Sequence, residues 1–229
     1  MNYFAHAFDF LDEDPKPFFL AGLAVPDWMN VVDRKIKTRS AAARKFLEQS
    51  PPSDEAYLAL GIVQHHADDL WFHESPVFNT LCLEFTVELR DLLAPDPGFR
   101  PSFLGHILVE LLLDDFLIRR YPQKIDLYYE LLDQLDPMKV EDTVSRIAGR
   151  PVEKMHWFVE RFREIRFLYD YSSDEKLLRR LNQVMQRVKL LPLPDKLLGF
   201  FDSARERVSS HAEQIYFEPR SRFAPNTAS

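Results

Sequence analysis

Histidines and carboxylates recur every fourth residue in two separate segments of the chain. Two ladders of three residues share this spacing: His65, Asp69 and His73 in the first, and His106, Glu110 and Asp114 in the second. Because an α-helix has about 3.6 residues per turn, this spacing confines each ladder to a stripe of roughly 80° on one helix face. Imidazole nitrogens and carboxylate oxygens, without a thiolate, suit manganese, iron or zinc. Each ladder is therefore a candidate source of metal ligands.

The second ladder stands out because its segment is otherwise apolar. Residues 103–118 read FLGHILVELLLDDFLI, which predicts a helix that is apolar nearly all round and therefore buried. A buried carboxylate must protonate, meet a cation or bind a metal, because its unpaired charge is costly away from water. If the two ladders face each other, their six side chains form one centre that holds one or two divalent ions.

Each ladder also has an interpretation without metal. The first could be an exposed helix face, and in the second Glu110 and Asp114 could pair with arginines in the core. The presence of two ladders, one of them on an apolar helix, favours the metal centre. The segment RFREIRF likewise leaves two interpretations open, a solvated helix face or a phosphate clamp formed by its arginines: Arg161, Arg163 and Arg166.

The helix that carries the first ladder is delimited by turn residues. It is predicted to start in SPPSD at residues 50–54, to run through Phe72 and to close at Pro76. An apolar helix over residues 18–25 is predicted to break at Pro26, because proline cannot extend the hydrogen-bond ladder. Asp27 follows that break and is either a metal ligand or the cap of the next helix.

Two further stretches belong to this arrangement. Residues 1–10 place His6 among aromatic side chains, which predicts the start of a helix docked in the core. His6 is either a ligand or a histidine satisfied within that core. The stretch 35–45 carries five Lys and Arg residues, and a solvated connection is the expected structure for it.

Composition indicates one all-α domain. The chain has 229 residues, of which 46% are hydrophobic, so it is long enough for one large core. Only 6 Gly occur against 16 Pro, and the prolines fall mostly between periodic segments, as expected for helices separated by turns. We predict a multi-helix bundle over residues 1–218 around a buried central helix at about residues 100–121. A loose tail is expected at residues 219–229.

Charge and hydropathy limit the cellular environment and the kinds of partner expected for this protein. The formal net charge of −7 argues against nucleic acid as a partner, and no apolar run is long enough to span a membrane. The single cysteine, Cys82, excludes an intramolecular disulfide and a thiolate zinc cluster. The first ten residues are too short and too polar for a secretory signal. A cytoplasmic protein is expected, and the sequence does not indicate its oligomeric state.

On these residues the chain resembles the acyl carrier protein phosphodiesterases, a family related to the helical HD-type metal-dependent phosphohydrolases. The opening MNYFAH is similar to that family's Met-Asn-Phe-Leu-Ala-His. The segment GIVQHHADDLWFHESP is similar to a family segment with Gly-Ile, a His and an Asp four residues later, and LLDDFL is similar to Trp-Asp-His-Phe-Leu. Five positions carry the resemblance: His6, Asp27, His65, Asp69 and Asp114.

The resemblance implies manganese-assisted hydrolysis of a phosphodiester on a helical fold. The implied partner is a phosphate-ester small molecule or a phosphopantetheinylated carrier protein. The chain departs from the family pattern at Asp115, where the family has His, and at His73, where the family tends to have Asp. A looser resemblance links the helical chain and its scattered His and Asp to the zinc phospholipases C and single-strand nucleases.

We therefore expect a metal-dependent phosphohydrolase, most readily a phosphodiesterase, that uses divalent manganese, iron or zinc. The metal activates a water molecule for attack at phosphorus, and Asp69 or Glu110 accepts the proton. The expected ligands are eight side chains: His6, Asp27, His65, Asp69, His73, His106, Glu110 and Asp114. The alternative is a non-catalytic helical binding protein whose ladders form a structural metal site or a polar core network.

Overall fold

The structure, a computed structural model, describes residues 1–12, 14–93 and 97–217, and α-helices dominate this part of the chain. Eleven α-helices are described: α1 (Tyr3–Ala7), α2 (Pro17–Val32), α3 (Ser40–Glu48), α4 (Asp54–Glu74), α5 (Pro76–Leu93), α6 (Pro101–Arg120), α7 (Pro122–Asp133), α8 (Pro137–Ala148), α9 (Met155–Ile165), α10 (Asp174–Arg187) and α11 (Leu198–Tyr216). Short 3₁₀ helices accompany them: Phe8–Phe10, Pro97–Phe99, Phe167–Ser172 and Asp195–Leu197. No strand occurs in the described ranges, so the predicted all-α fold is confirmed.

Contacts between residues divide the chain into two compact units. Of the described residues, the first unit comprises 3–12, 14–70 and 122–166, and the second comprises 1–2, 71–93, 97–121 and 167–217. This division does not test whether the units fold separately, so the predicted single domain over residues 1–218 stays a prediction. The predicted loose tail lies outside the described residues. Among the helices described, none is long and apolar enough to cross a membrane.

The first unit is built around α2, which packs against α1, α7, α8 and α9. Pro17 occupies the first turn of α2, and every residue from 18 to 25 is buried. Trp28, on the same helix, packs edge-on against Phe162 of α9, with ring centroids 5.3 Å apart. An apolar run of this length belongs in a core, because tertiary packing supplies most of a helix's stability.

Pro26 lies inside α2, which continues to Val32, so the predicted helix break at this residue is wrong. Proline removes one backbone hydrogen bond and strains the preceding turn. Burial of the residues before and after Pro26 outweighs that cost, because Val25 and Trp28 are completely buried. Asp27 consequently lies within a helix and does not cap a new one.

The basic stretch at residues 35–45 is only partly the connection that the sequence predicted. Its second half belongs to α3, which packs against α8. Ala43 is buried, and the Arg146 guanidinium carbon of α8 lies 4.9 Å from the centroid of the Phe46 ring. Long charged side chains can cover apolar surface while their charges stay in water, which explains why a run of charge concealed a helix.

The second unit is built around α6, which packs against α5, α11 and the 3₁₀ helix Phe167–Ser172. Leu108, Val109, Leu112 and Leu113 are each at most 1% exposed. The predicted buried central helix is therefore confirmed. Burial fixes the position of α6, and the few polar side chains of this helix project from that fixed position.

Candidate metal centres

Imidazoles and carboxylates converge in two groups within the described residues, and each group offers three ligand atoms within 4.8 Å of one another. The first group, named the His6 cluster, lies in the first unit: His6, His65 and Asp69. The second, named the His73 cluster, lies in the second unit: His73, His106 and Glu110. These groups contain six of the eight predicted ligands. Asp27 and Asp114 belong to neither group.

Two glycines set the approach of α2 and α4 in the first unit. A Cβ atom added to Gly22 would lie 2.1 Å from the carbonyl oxygen of Leu58. One added to Gly61 would lie 2.2 Å from the carbonyl oxygen of Phe19. Only glycine fits at either position, since real Cβ atoms do not approach a backbone oxygen so closely. This crossing brings α4 directly against α2, one helical turn before His65.

His65 has one ring nitrogen held by backbone. Its Nδ1 lies 2.7 Å from the carbonyl oxygen of Leu23, which can only accept a hydrogen bond, so Nδ1 carries the proton. In a neutral imidazole the lone pair is then on Nε2, which lies 3.4 Å from Asp69 Oδ2. A histidine with Nδ1–H bound to a carbonyl and Nε2 left available is the usual arrangement of a metal ligand.

His6 repeats this arrangement with a carboxylate in place of the carbonyl. The ring is completely buried and stacks on His65 with centroids 4.1 Å apart. Its Nδ1 lies 3.4 Å from Asp68 Oδ2, and Asp68 Oδ1 accepts a hydrogen bond of 2.8 Å from Gln64. The other nitrogen, Nε2, is buried, makes no hydrogen bond and lies 3.3 Å from Asp69 Oδ1. Both imidazoles therefore direct their second nitrogen at one carboxylate.

The separations in the His6 cluster fit shared coordination better than hydrogen bonding. The N···O distances to Asp69 are 3.3 and 3.4 Å, longer than the roughly 2.9 Å that such hydrogen bonds prefer. Ligands about 2.1 Å from one ion lie roughly 3.0 Å apart in an octahedron and 3.4 Å apart in a tetrahedron. His6 and His65 are almost fully buried, whereas the Asp69 side chain is 31% exposed, so the cluster is open to solvent on one side.

Burial and the neighbouring charges shift the pKa values of His6 and Asp69 in the His6 cluster. Burial acts to lower the pKa of His6, but Asp68 and Asp69 outweigh it and raise the pKa to about 9. Burial acts to raise the pKa of Asp69, and the neighbouring imidazoles of His6 and His65 help to hold it far below its ordinary value. The carboxylate is therefore ionised at every physiological pH.

Asp27 lies in the same electrostatic neighbourhood. Burial raises the pKa of its carboxyl group, and the charge of Asp69 adds to the rise, while His65 and His6 oppose it. A carboxyl group influenced by all three members of the His6 cluster is a candidate fourth ligand, and a bound cation would hold it ionised. The structure thus groups four of the five residues that carry the family resemblance.

The His73 cluster converges on a single carboxylate oxygen. His73 Nε2 lies 3.1 Å from Glu110 Oε1, and His106 Nε2 lies 3.3 Å from the same atom. The amino nitrogen of Met1 lies 3.2 Å from it as well. Burial acts to raise the pKa of Glu110, but the positive amino group and the two imidazoles outweigh it and hold the pKa well below its ordinary value.

Asp114, the third member of the second ladder, is in neither cluster. It is completely buried, and its Oδ2 accepts a hydrogen bond of 2.8 Å from the side-chain amide of Asn2. That amide also donates to the hydroxyl of Tyr171 at 3.1 Å. Its role as a metal ligand stays a prediction.

Arginine pairing in the second unit involves Asp115. Its carboxylate accepts hydrogen bonds from Arg119 at 2.9 Å, from Arg205 at 2.7 Å and from the hydroxyl of Ser172 at 2.6 Å. The sequence allowed Glu110 and Asp114 to pair with core arginines. Among the described contacts, it is Asp115 that pairs with arginines.

The three arginines considered for a phosphate clamp have partners within the first unit. Arg161 pairs with Glu164 at 2.9 Å, and Arg166 pairs with Asp133 at 2.6 Å. Arg163 donates to the carbonyl oxygens at the end of α7, including that of Leu135 at 3.0 Å. Arg163 and Arg166 therefore join α9 to the end of α7, whereas Arg161 pairs within α9 as expected for a solvated helix face.

The four-residue ladders do not include Asp68 or Gln64, which together fix the orientation of His6. The two residues are four apart on α4 and lie beside the first ladder, so their mutual contact was readable as a helical pair. The contact of Asp68 with His6 was not, because 62 residues separate them in the chain.

Comparison with known proteins gave no matching family model, no matching curated protein and no matching solved structure. The chemistry of the site must therefore be argued from its own residues. The His6 cluster fits a divalent ion: it supplies two imidazole nitrogens, an ionised carboxylate, a nearby second carboxyl group and an open side. An ion bound there would displace the proton that His6 carries below about pH 9.

Proposed function

We propose that the chain is a metal-dependent phosphohydrolase whose centre is the His6 cluster with Asp27. One observation carries the proposal. The imidazoles of His6 and His65 each have Nδ1 engaged by another group and direct Nε2 at the partly exposed carboxylate of Asp69. The ligand types suit manganese, iron or zinc, since no thiolate takes part.

Each residue of the proposed centre has a separate role in the reaction. A divalent ion held by these residues would supply positive charge, which would stabilise a phosphate ester under attack and lower the pKa of nearby water. His6 and His65 are held rigidly by Asp68 and the Leu23 carbonyl, so they hold the ion in place. Asp69 is partly exposed and ionised, which suits a carboxylate that binds the ion. Its strongly lowered pKa makes it a weak base, which disfavours the proton-accepting role that the sequence predicted for it.

The choice of a phosphodiester as substrate depends on the resemblance to the acyl carrier protein phosphodiesterases. Four of the residues that carry it lie in or beside the proposed centre: His6, Asp27, His65 and Asp69. A phosphate-ester small molecule and a phosphopantetheinylated carrier protein are both consistent with a one-sided, solvent-facing centre.

A non-catalytic protein with a polar core network is the second candidate, and one observation favours it. The raised pKa of His6, about 9, means that a protonated His6 could neutralise the carboxylates of Asp68 and Asp69 without any ion. The buried Nε2 of His6, which makes no hydrogen bond, argues against a network that satisfies itself.

The test is reconstitution of the purified chain. After treatment with a chelator, manganese or zinc is restored, metal content is measured, and hydrolysis of bis(p-nitrophenyl) phosphate is followed. We expect His65→Ala and Asp69→Asn to lose both the ion and the activity. His156→Ala is the matched control, because His156 is a partly exposed histidine of the same unit that pairs with Glu141, outside the cluster. Full metal content and turnover in Asp69→Asn would refute the proposal.

A further inference from the structure

The second unit holds its own set of ligand atoms, independent of the proposed hydrolase centre. We propose that the His73 cluster is a second, self-contained site for a divalent transition-metal ion, with zinc as the best-fitting occupant. The site is formed by the end of α4 and by one face of α6, through His73, His106 and Glu110.

The geometry matches ligands that share one small ion. Both Nε2 atoms lie close to the same oxygen, Glu110 Oε1, at 3.1 and 3.3 Å. These separations are close to the roughly 3.4 Å edge of a tetrahedron with ligands about 2.1 Å from its centre. The imidazole rings of His73 and His106 are 4.9 Å apart between centroids and inclined by 36°, so they do not stack. Their nitrogens point to a common position instead.

Phe78 of α5 holds both rings. Its centroid lies 5.3 Å from that of His73 and 5.1 Å from that of His106, which it meets edge to face at 87°. Phe78 is only 2% exposed, so it forms a fixed wall for the two imidazoles. Rings that are oriented before an ion arrives lose little conformational freedom on binding it. A pair of histidines that merely shared a solvated surface would not need this support.

Exposure indicates an open site. The side chains of His73 and His106 are 37% and 40% exposed, whereas that of Glu110 is 13% exposed. An ion held between them would keep a position for water or an external ligand on the imidazole side. Two histidines and one glutamate with an open position are a ligand set that zinc uses, whereas magnesium and calcium prefer oxygen ligands. The amino group of Met1, 3.2 Å from Oε1, competes with the ion for Glu110.

Zinc stoichiometry separates this site from the proposed hydrolase centre. The full chain, stripped with a chelator, is dialysed against zinc, and bound metal is measured for four proteins. His65→Ala/Asp69→Asn removes the first centre. His73→Gln/His106→Gln removes the second while its amides can still donate to Glu110, and His211→Ala is a control on α11 of the same unit. Circular dichroism verifies that each variant keeps its helices.

We expect two zinc ions on the wild type and the control and one on each double variant. Cobalt bound to His65→Ala/Asp69→Asn should give the intense visible bands of tetrahedral coordination, and these should vanish when His73 and His106 are also replaced. Unchanged zinc content in His73→Gln/His106→Gln would overturn the inference. So would a single wild-type ion that His65→Ala/Asp69→Asn removes. A single ion that only His73→Gln/His106→Gln removes would instead refute the hydrolase centre and support this site.

Discussion

Asp69 lies beside the Nε2 atoms of His6 and His65, and the Nδ1 atom of each ring contacts another group. His6 and His65 cannot both rotate away, because Asp68 and the Leu23 carbonyl hold their Nδ1 atoms. Residues that hold a ligand's other nitrogen fix its tautomer and its ring orientation. Asp68 should therefore affect metal binding without being a ligand.

Asp68→Asn tests this role. The amide keeps the size of the side chain but removes the charge that supports the His6 ring. We expect metal affinity at the His6 cluster to fall by about 10–100-fold, the usual effect of losing such a supporting group. Isothermal titration with zinc or manganese measures it, and Asp91→Asn, at an exposed carboxylate of the second unit, is the control. An unchanged affinity would mean that Asp68 does not orient His6.

His6 makes the metal-free protein sensitive to alkaline pH. Its pKa is about 9 in the folded chain against 6.5 for an ordinary histidine, so folding favours the protonated ring. The stabilisation is complete below about pH 6.5 and disappears as the pH rises through 9. The difference corresponds to about 3 kcal/mol in the free energy of unfolding.

Urea denaturation in the presence of a chelator, repeated from pH 6 to pH 9.5, measures this loss. In His6→Gln the free energy of unfolding should be lower at pH 6 but should change much less over the same range. If the wild type and His6→Gln showed parallel curves, the raised pKa of His6 would be wrong.

Local contacts of the site were predictable from spacing, and distant ones were not. His65 with Asp69 and His106 with Glu110 are pairs four residues apart on one helix, and both are in contact as the ladders predicted. Packing decides which ladder members meet across helices. His73 meets Glu110 over 37 residues of sequence. Asp114 shares a helix face with Glu110, yet it accepts a hydrogen bond from Asn2 and joins neither cluster.

At the scale of elements, the crossing of α2 and α4 is the feature that positions the His6 cluster. Gly61→Ala would place a methyl group 2.2 Å from the Phe19 carbonyl oxygen, so the helices must separate. We expect a loss of about 1–3 kcal/mol in the free energy of unfolding and a weakened metal site, because His65 would move from the Leu23 carbonyl. Thermal unfolding and metal titration measure the two effects.

Gly199→Ala is the matched control for that substitution. Gly199 lies in α11, and a Cβ atom there meets nothing within 4 Å. Alanine is the better helix former by up to about 1 kcal/mol, so this variant should be as stable as the wild type or more stable. Equal destabilisation of both variants would exclude close helix packing as the cause.

Asp115 connects three elements of the second unit: α6, the 3₁₀ helix Phe167–Ser172 and α11. Asp115→Ala should lower the free energy of unfolding by about 1–3 kcal/mol, because the part-buried Arg205 would lose one of the two carboxylates that face it and keep only Asp174. Chemical denaturation measures the loss. Asp91→Ala removes an exposed carboxylate and should change stability by less than about 1 kcal/mol. Similar values for the two variants would contradict the structural role of Asp115.

Element boundaries were largely predictable because periodicity and turn residues are local signals. The predicted starts and ends of α4 and α6 agree with the structure to within about two residues, the usual uncertainty of helix ends. The errors have physical causes. Pro26 is tolerated because both sides of α2 are buried, and α3 escaped notice because its charged side chains conceal a short apolar face.

At the scale of the whole molecule, the two candidate centres lie in different units, so removal of metal should act on each unit separately. In hydrogen exchange with mass spectrometry, chelation should increase exchange in α1, α2 and the part of α4 up to Leu70, which carry the His6 cluster. In His73→Gln/His106→Gln this effect should persist unchanged. A chelator effect spread evenly over all peptides would contradict local stabilisation by metal.

Cys82 is the chain's single cysteine, and its surroundings determine how readily the protein reacts with thiol-directed reagents. Burial, with a contribution from the charge of Glu110, raises the pKa of its thiol to about 12. A thiol that stays protonated reacts slowly with alkylating agents and oxidants, since the thiolate is the reactive form. A cysteine introduced at an exposed position, such as Trp157→Cys, would therefore accept a fluorescent dye almost alone. The native chain thus provides a background ready for single-site labelling, with no need to remove its own thiol.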